Sequence, residues 1–246
     1  MTTFDIIAFD ADDTLWHTER LYVDAQARFV QLLAHYRDAA WVTARLFETE
    51  MRNMQHFGYG VKAFALSMIE TAVELTDGQV SGQDIGALIR VAKEMLAAEV
   101  ELLPHVAEAI PALAARYPLM VITKGDLLDQ ESKIARSGLG RHFRHVEIVS
   151  EKTTESYARL FRQHGIAAGR CLMVGNSLRS DILPILALGG QAVYVPHDLT
   201  WQHELAQPPP AGQPGFYQIA HLGQLPALLD EIAASGITEP FGETNV

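Results

Sequence analysis

A chain of 246 residues, 48% hydrophobic and 20% charged, is long and apolar enough to bury a sizeable core, which excludes general disorder. Its net charge of −11, with no dense Lys/Arg tract, disfavours a nucleic-acid or anionic-membrane surface. A basic leader with an apolar core is missing after Met1, as is any apolar run of about 18 residues, so secretion and membrane spanning are disfavoured. The single cysteine, Cys171, allows no internal disulfide and fits a reducing cytoplasm.

The first predicted element is a buried parallel strand over Ile6-Ile7-Ala8-Phe9, ending abruptly in Asp10-Ala11-Asp12-Asp13. A period of two places Asp10 and Asp12 on the same side of the strand end. Carboxylates so close raise each other's pKa or recruit a cation, and Mg2+ is the oxygen-seeking ion that suits them. With a metal bound, one carboxylate can attack an electrophile while the other handles protons. An exposed acidic turn accounts for the same residues without any chemistry.

After Leu15 the text is helical for some eighty residues, with apolar spacing in Ala25-Phe29-Leu32-Leu33 and in Phe64-Met68-Ile69-Ala72-Val73. Between these runs, Gln55 to Lys62 mixes aromatics, glycines and a cation. That mixture suits recognition of a leaving group through Tyr59 and Lys62, and an interhelix loop explains it equally. A third helix is predicted over Ile85 to Glu99, after the turn-rich segment Asp77 to Gly82.

From Leu103 onward strands alternate with helices: Leu119–Thr123, Val146–Val149, Leu172–Val174 and Ala192–Val195. This alternation predicts right-handed β-α-β units and a parallel sheet covered on both faces. Pro111 falls at the start or in the interior of the helix before Leu119. Cys171 reads as a small apolar core residue rather than a catalytic thiol. Pro196-His197-Asp198 follows the last clear strand and suits a pocket rim, with Trp201 and His203 nearby; the commoner reading makes His197 and His203 polar surface residues, and no His-x-x-x-His or Cys-x-x-Cys spacing supports zinc. Pro208 to Gly215 is a loop, Leu222 to Ile232 a terminal helix with an apolar stripe, and Thr238 to Val246 a frayed tail.

Ligands of an open parallel sheet bind beyond the carboxyl ends of its strands, and polar residues follow the apolar runs there. Thr123-Lys124-Gly125-Asp126 follows one strand, Lys152 another, and Gly175-Asn176-Ser177 a third, with Asp181 a helical turn later. Hydroxyl, ammonium and extra oxygens are what a metal-held phosphate requires. Singly, Thr123 reads as a turn cap, Lys152 as a surface lysine and Asp181 as a first-turn acid.

Taken in order, Asp10-Ala11-Asp12-Asp13-Thr14, Thr123, Lys152 and Gly175 to Asp181 resemble the motifs of the haloacid dehalogenase-like hydrolase superfamily, in its phosphatase branch with a helical type 1 cap. The resemblance implies a doubly wound, Rossmann-like α/β core over 1–15 and 101–246 and an inserted helical cap over 16–100. It implies Asp10 as the nucleophile that forms an aspartyl-phosphate and Asp12 as general acid and base. Thr123 and Lys152 would bind phosphate oxygens, with Lys124 beside them. Mg2+ would sit on Asp10, the Asp12 carbonyl and Asn176 or Asp181. The substrate would be a small phosphorylated metabolite, with no nucleic-acid or membrane partner and an oligomeric state the sequence does not specify. Two positions depart from the family pattern: Asp13 stands where Gly is usual, and Asn176 where Asp is commonest. Rival readings are a metal-free dehalogenase, which lacks a carboxylate at the position of Asp12, a phosphomutase, a phospho-aspartate receiver module and a silent binding protein.

Overall fold

The computed structural model describes residues 4–235; the expected frayed tail lies outside them. Strand β1 (Ile6–Phe9) leads into helices α1 (Glu19–Leu33), α2 (Ala39–Phe57), α3 (Val61–Leu75) and α4 (Gly82–Ala97). There follow α5 (Val106–Ala114), β2 (Leu119–Lys124), α6 (Leu127–Arg136), β3 (His145–Val149), α7 (Thr154–His164) and β4 (Cys171–Gly175). Last come a π-helical turn (Leu178–Ile182), α8 (Leu183–Ala187), β5 (Gln191–Tyr194), β6 (Phe216–Gln218) and α9 (Leu225–Ala234).

Two compact units result: Met1–His17, Glu101–Thr123 and Ser137–Val246 form one, Thr18–Val100 and Lys124–Arg136 the other. The second differs from the expected insertion by including α6, and Arg136 gives the reason. Its guanidinium donates to the carbonyls of Ala98 at 2.6 Å and Leu96 at 3.3 Å, satisfying acceptors that the end of α4 leaves without helical partners.

The first unit is an α/β sheet of order β3-β2-β1-β4-β5-β6. β1 pairs parallel with β2 and β4, β4 with β5, and β5 with β6. The three-residue β6 was not expected; it is too short to show a periodicity. Alternation along the strands fills both faces. Ile6, Ala8, Met120, Ile122, Cys171, Met173 and Ala192 pack with Tyr157 and Leu160 of α7 and Ile185 of α8 in one cluster. Their neighbours Ile7, Phe9, Leu119, Val121, Leu172 and Val174 are buried as well. Such continuous apolar strands are what a sheet covered on both sides demands. Pro111 lies inside α5.

In the second unit, Asp38 caps α2 through the Trp41 amide and Ser81 caps α4 through the Asp84 amide. The Ser81 cap starts α4 three residues before the expected Ile85. Asp77 and Gly78 adopt φ of 51° and 77°, which makes the sharp reversal between α3 and α4. Phe29, Leu33, Leu46, Met68 and Leu88 share one core. Arg45 and Arg52 on α2 reach Glu74 on α3, both at 2.8 Å. No helix among the described residues is long and apolar enough to cross a membrane.

Candidate active site

The site is built where β1, β2 and β4 end. Phe9, the last residue of β1, pairs with Val121 and Val174, so Asp10 emerges beside the C-terminal residues of β2 and β4 at one edge of the sheet. The Asp10 amide continues the ladder by donating to the Val174 carbonyl at 2.9 Å. Its carboxylate is thereby delivered, buried, to that edge. Asp13 takes φ of 59°, the left-handed turn that Gly commonly serves, and its amide donates to the Trp16 carbonyl at 2.7 Å.

Lys152 is the hub. Its ammonium, buried at the start of the loop into α7, donates to Asp10 Oδ1 and, at 2.7 Å, to Asp181 Oδ1. Burial alone would push this ammonium's pKa down, but the Asp10 and Asp181 carboxylates outweigh it and hold Lys152 above its ordinary value. Burial pushes the Asp10 carboxyl up to about 7, with Lys152 opposing and Asp181 and Asp12 reinforcing the rise. Asp181 spends its other oxygen on the Ser177 amide at 3.0 Å.

This approach is possible only because the neighbouring residue is Gly175. A Cβ there would lie 2.3 Å from Asp181 Oδ2. Asn176, next in line, sets one terminal atom of its amide 3.2 Å from each of Asp10 Oδ2, the Asp12 carbonyl oxygen and Thr14 Oγ1. Because three oxygens face that atom, nitrogen is the end that satisfies them, with Thr14 Oγ1 also 3.2 Å from Asp10 Oδ2.

The arrangement fits a hard cation. Octahedral Mg2+ with bonds of 2.0–2.1 Å separates adjacent oxygens by about 2.9 Å, near the 3.2 Å that separates the Asn176 amide atom from Asp10 Oδ2 and from the Asp12 carbonyl oxygen. Turning the Asn176 amide over would offer its oxygen beside Asp10 Oδ2 and the Asp12 carbonyl. The composition of the pocket agrees, because three carboxyl groups, of Asp10, Asp12 and Asp181, gather around one ammonium, that of Lys152.

Of the expected site residues, Asp10, Lys152, Asn176 and Asp181 meet directly. Asp12 is half-buried and accepts from the Trp16 indole at 2.8 Å. Thr123, buried, lies two residues beyond Val121 at the same strand edge. Tyr59, Lys62 and Lys124 assemble in the helical unit. The Lys124 ammonium lies 4.2 Å from the Tyr59 ring centroid, and Lys62 is held by Asp126 at 2.9 Å. Lys62 is therefore already partnered by a carboxylate.

Two contributors, Trp16 and Glu204, escaped the sequence reading, and a third, His197, was weighed only as a rim or surface residue. Trp16 orients Asp12, and its i+4 spacing from that acid was a usable signal. Glu204 accepts from Ser177 Oγ at 2.5 Å and Ser180 Oγ at 2.6 Å, bracing the turn that carries Asp181. His197, read as a surface residue, is mostly buried, with Nε2 3.6 Å from Asp13 Oδ1. Contacts over such separations leave no local pattern.

A family model described as haloacid dehalogenase-like hydrolase matches residues 4–189. A haloacid dehalogenase-like family hydrolase from Xanthomonas campestris is 39% identical, with a TM-score of 0.84 over 95% of this chain and 93% of that one. The N-acylneuraminate-9-phosphatase of Mus musculus is 24% identical over 92% of this chain and 94% of its own length. A Bacillus subtilis HAD-hydrolase solved with magnesium shares the fold at 17% identity, with a TM-score of 0.65 over 92% of this chain and 99% of that one.

Proposed function

We propose that this chain, which belongs to the haloacid dehalogenase-like hydrolase family, hydrolyses a small phosphorylated metabolite through an aspartyl-phosphate, as a Mg2+-dependent cytoplasmic phosphatase. The observation that carries the reading is the convergence of Asp10, the Asp12 carbonyl, Asn176, Lys152 and Asp181 at one sheet edge.

Asp10 is the nucleophile. Its Oδ2 faces the Asn176 amide, leaving Oδ1, on the Lys152 side, to attack phosphorus. Lys152 then offsets the negative charge of the transferring group, and Thr123 donates to one of its oxygens. Asp181 acts through Lys152, which it holds in place by a charge-assisted bond. Asp12, aimed by the Trp16 indole, protonates the leaving oxygen and afterwards takes a proton from the attacking water, work that typically contributes about 100- to 10,000-fold. Its presence favours phosphate over halide chemistry, since a halide leaves without a proton. Mg2+ would be held by Asp10, the Asp12 carbonyl and Asn176, with Asp181 adding charge, and would supply electrostatic stabilisation of the phosphoryl oxygens.

Tyr59, Lys62 and Lys124 are the candidate recognition residues of the helical unit, which we read as the cap. The relatives' name makes N-acylneuraminate 9-phosphate one compound to include in a substrate panel.

The test is release of inorganic phosphate from an aryl phosphate and from that panel, with Mg2+ or chelator. Wild-type protein is expected to turn over only with Mg2+, and Asp10→Asn to lose at least about a thousand-fold, as nucleophile deletions do. Undiminished turnover by a folded Asp10→Asn variant would refute the mechanism.

A further inference from the structure

Two loops at the strand ends, one following β1 and the other following β5, bring together Asp13, His17 and His197, whose candidate ligand atoms all lie within 4.8 Å of one another. We propose that these three side chains form a second cation site, selective for a borderline transition metal such as Zn2+. It is distinct from the oxygen-lined position among Asp10, Asp12 and Asn176, and it stands independently of the phosphatase reading.

The donor set separates the two positions. Oxygens alone suit Mg2+, whereas two imidazoles and one carboxylate suit Zn2+ and its neighbours in the first transition series. Mg2+ gains little from imidazole and gives up its waters reluctantly.

Geometry points the same way. His197 Nε2 and Asp13 Oδ1 are 3.6 Å apart, too far for a hydrogen bond. Two ligands of a tetrahedral ion with bonds of 2.0–2.1 Å lie about 3.3 Å apart, so a small closure would seat one between them. The other ring nitrogen of His197 is 2.8 Å from the Leu199 carbonyl, which can only accept. That contact is shorter than the competing one from the Leu199 amide, at 3.3 Å. It places the proton on Nδ1 and turns the Nε2 lone pair toward Asp13. That orientation aims a lone pair at the volume the Asp13 carboxylate also borders, as a shared cation would require. An imidazole whose far nitrogen donates to a backbone carbonyl is the support that metal-bound histidines commonly have.

The ligands are also presented by restrained backbone. Asp13 is fixed in its left-handed turn, and the His17 amide donates to the Glu101 carbonyl at 3.0 Å. The His17 and His197 rings meet edge to face, centroids 5.9 Å apart. Glycine at position 13 would meet the turn's demand with less strain; aspartate adds a ligand. Three protein ligands leave a fourth position for water or an incoming oxygen. Cys171, buried in β4, cannot supply it.

The experiment uses tag-free, full-length, metal-stripped protein in saturating Mg2+, titrated with Co2+ and then with Zn2+. Wild-type protein is expected to take up one equivalent of Co2+ with the intense visible bands of a four-coordinate ion, and Zn2+ should abolish them. His17→Gln and His197→Gln should each lose the bands and bind Zn2+ at least about tenfold more weakly. At a hundredfold excess over its Kd, Zn2+ should raise the wild-type Tm by about 5–10 °C, a gain both variants lose. Either variant suffices if the other does not fold, because both retain the Asp13 turn. No four-coordinate bands in wild-type protein, bands that persist in a folded histidine variant, or displacement of Zn2+ by Mg2+ would each overturn the proposal.

Discussion

At Asn176 one amide atom faces three oxygens at 3.2 Å, and whether that atom donates or accepts decides what the site tolerates without metal. Asn176→Asp replaces a donor with an acceptor that faces Asp10 Oδ2 and the Asp12 carbonyl. A buried polar group left unsatisfied costs about 1–3 kcal/mol. For a domain of this size that lowers Tm by about 2–12 °C. The variant is therefore expected to melt earlier than wild type in chelator. With Mg2+ the added charge works in its favour, so its metal-dependent gain in Tm should be larger and its half-saturating Mg2+ concentration lower. Thermal melts across a Mg2+ titration measure both quantities, and identical metal responses in the two proteins would remove Asn176 from the cation site.

Among elements, the end of β4 carries most of the precision. Gly175 closes the strand, Ser177 Oγ accepts from the Ser180 amide at 3.0 Å, and a π-helical turn delivers Asp181 to Lys152. π-Helical turns recur at functional sites because they re-aim a side chain that a regular helix would carry past its target. Gly175→Ala would drive a methyl into Asp181 Oδ2 and force it from both Lys152 and the Ser177 amide. A displacement of about 1 Å commonly costs about a hundredfold in rate. We expect kcat on an aryl phosphate to fall by that order, with a lower Tm from overpacking. Steady-state kinetics with a parallel melt decides it; retention of full kcat would show that Asp181 need not hold Lys152 closely.

For the whole molecule, Cys171 is a probe placed by the fold. It lies in β4, between β1 and β5, and burial pushes its thiol up to about 12. At pH 8 the thiolate, which is the reactive form, is both scarce and inaccessible. An aromatic disulfide reagent should leave the native protein unlabelled and modify one thiol per chain after guanidinium unfolding. Because the helical unit contains no cysteine, labelling reports the opening of the α/β unit alone. Rapid native labelling would contradict the buried position of β4.

The parts legible in the sequence were those written in short-range periodicity. Apolar runs such as Ile6–Phe9 and Leu172–Val174 announced buried parallel strands, and the polar residues ending them located Asp10 and Asn176 at strand ends. The left-handed turn at Asp13 followed from the tolerance of its side chain. Longer-range facts were not legible. That Arg136 ties α6 to the end of α4, that Glu204 braces Ser177 and Ser180, and that His197 meets Asp13 depend on residues distant in the chain. Periodicity specifies which face of an element is apolar, because a helix or strand repeats every few residues. Which side chains meet across the sheet edge depends on strand order and on the path of the loops, and only the tertiary structure decided that.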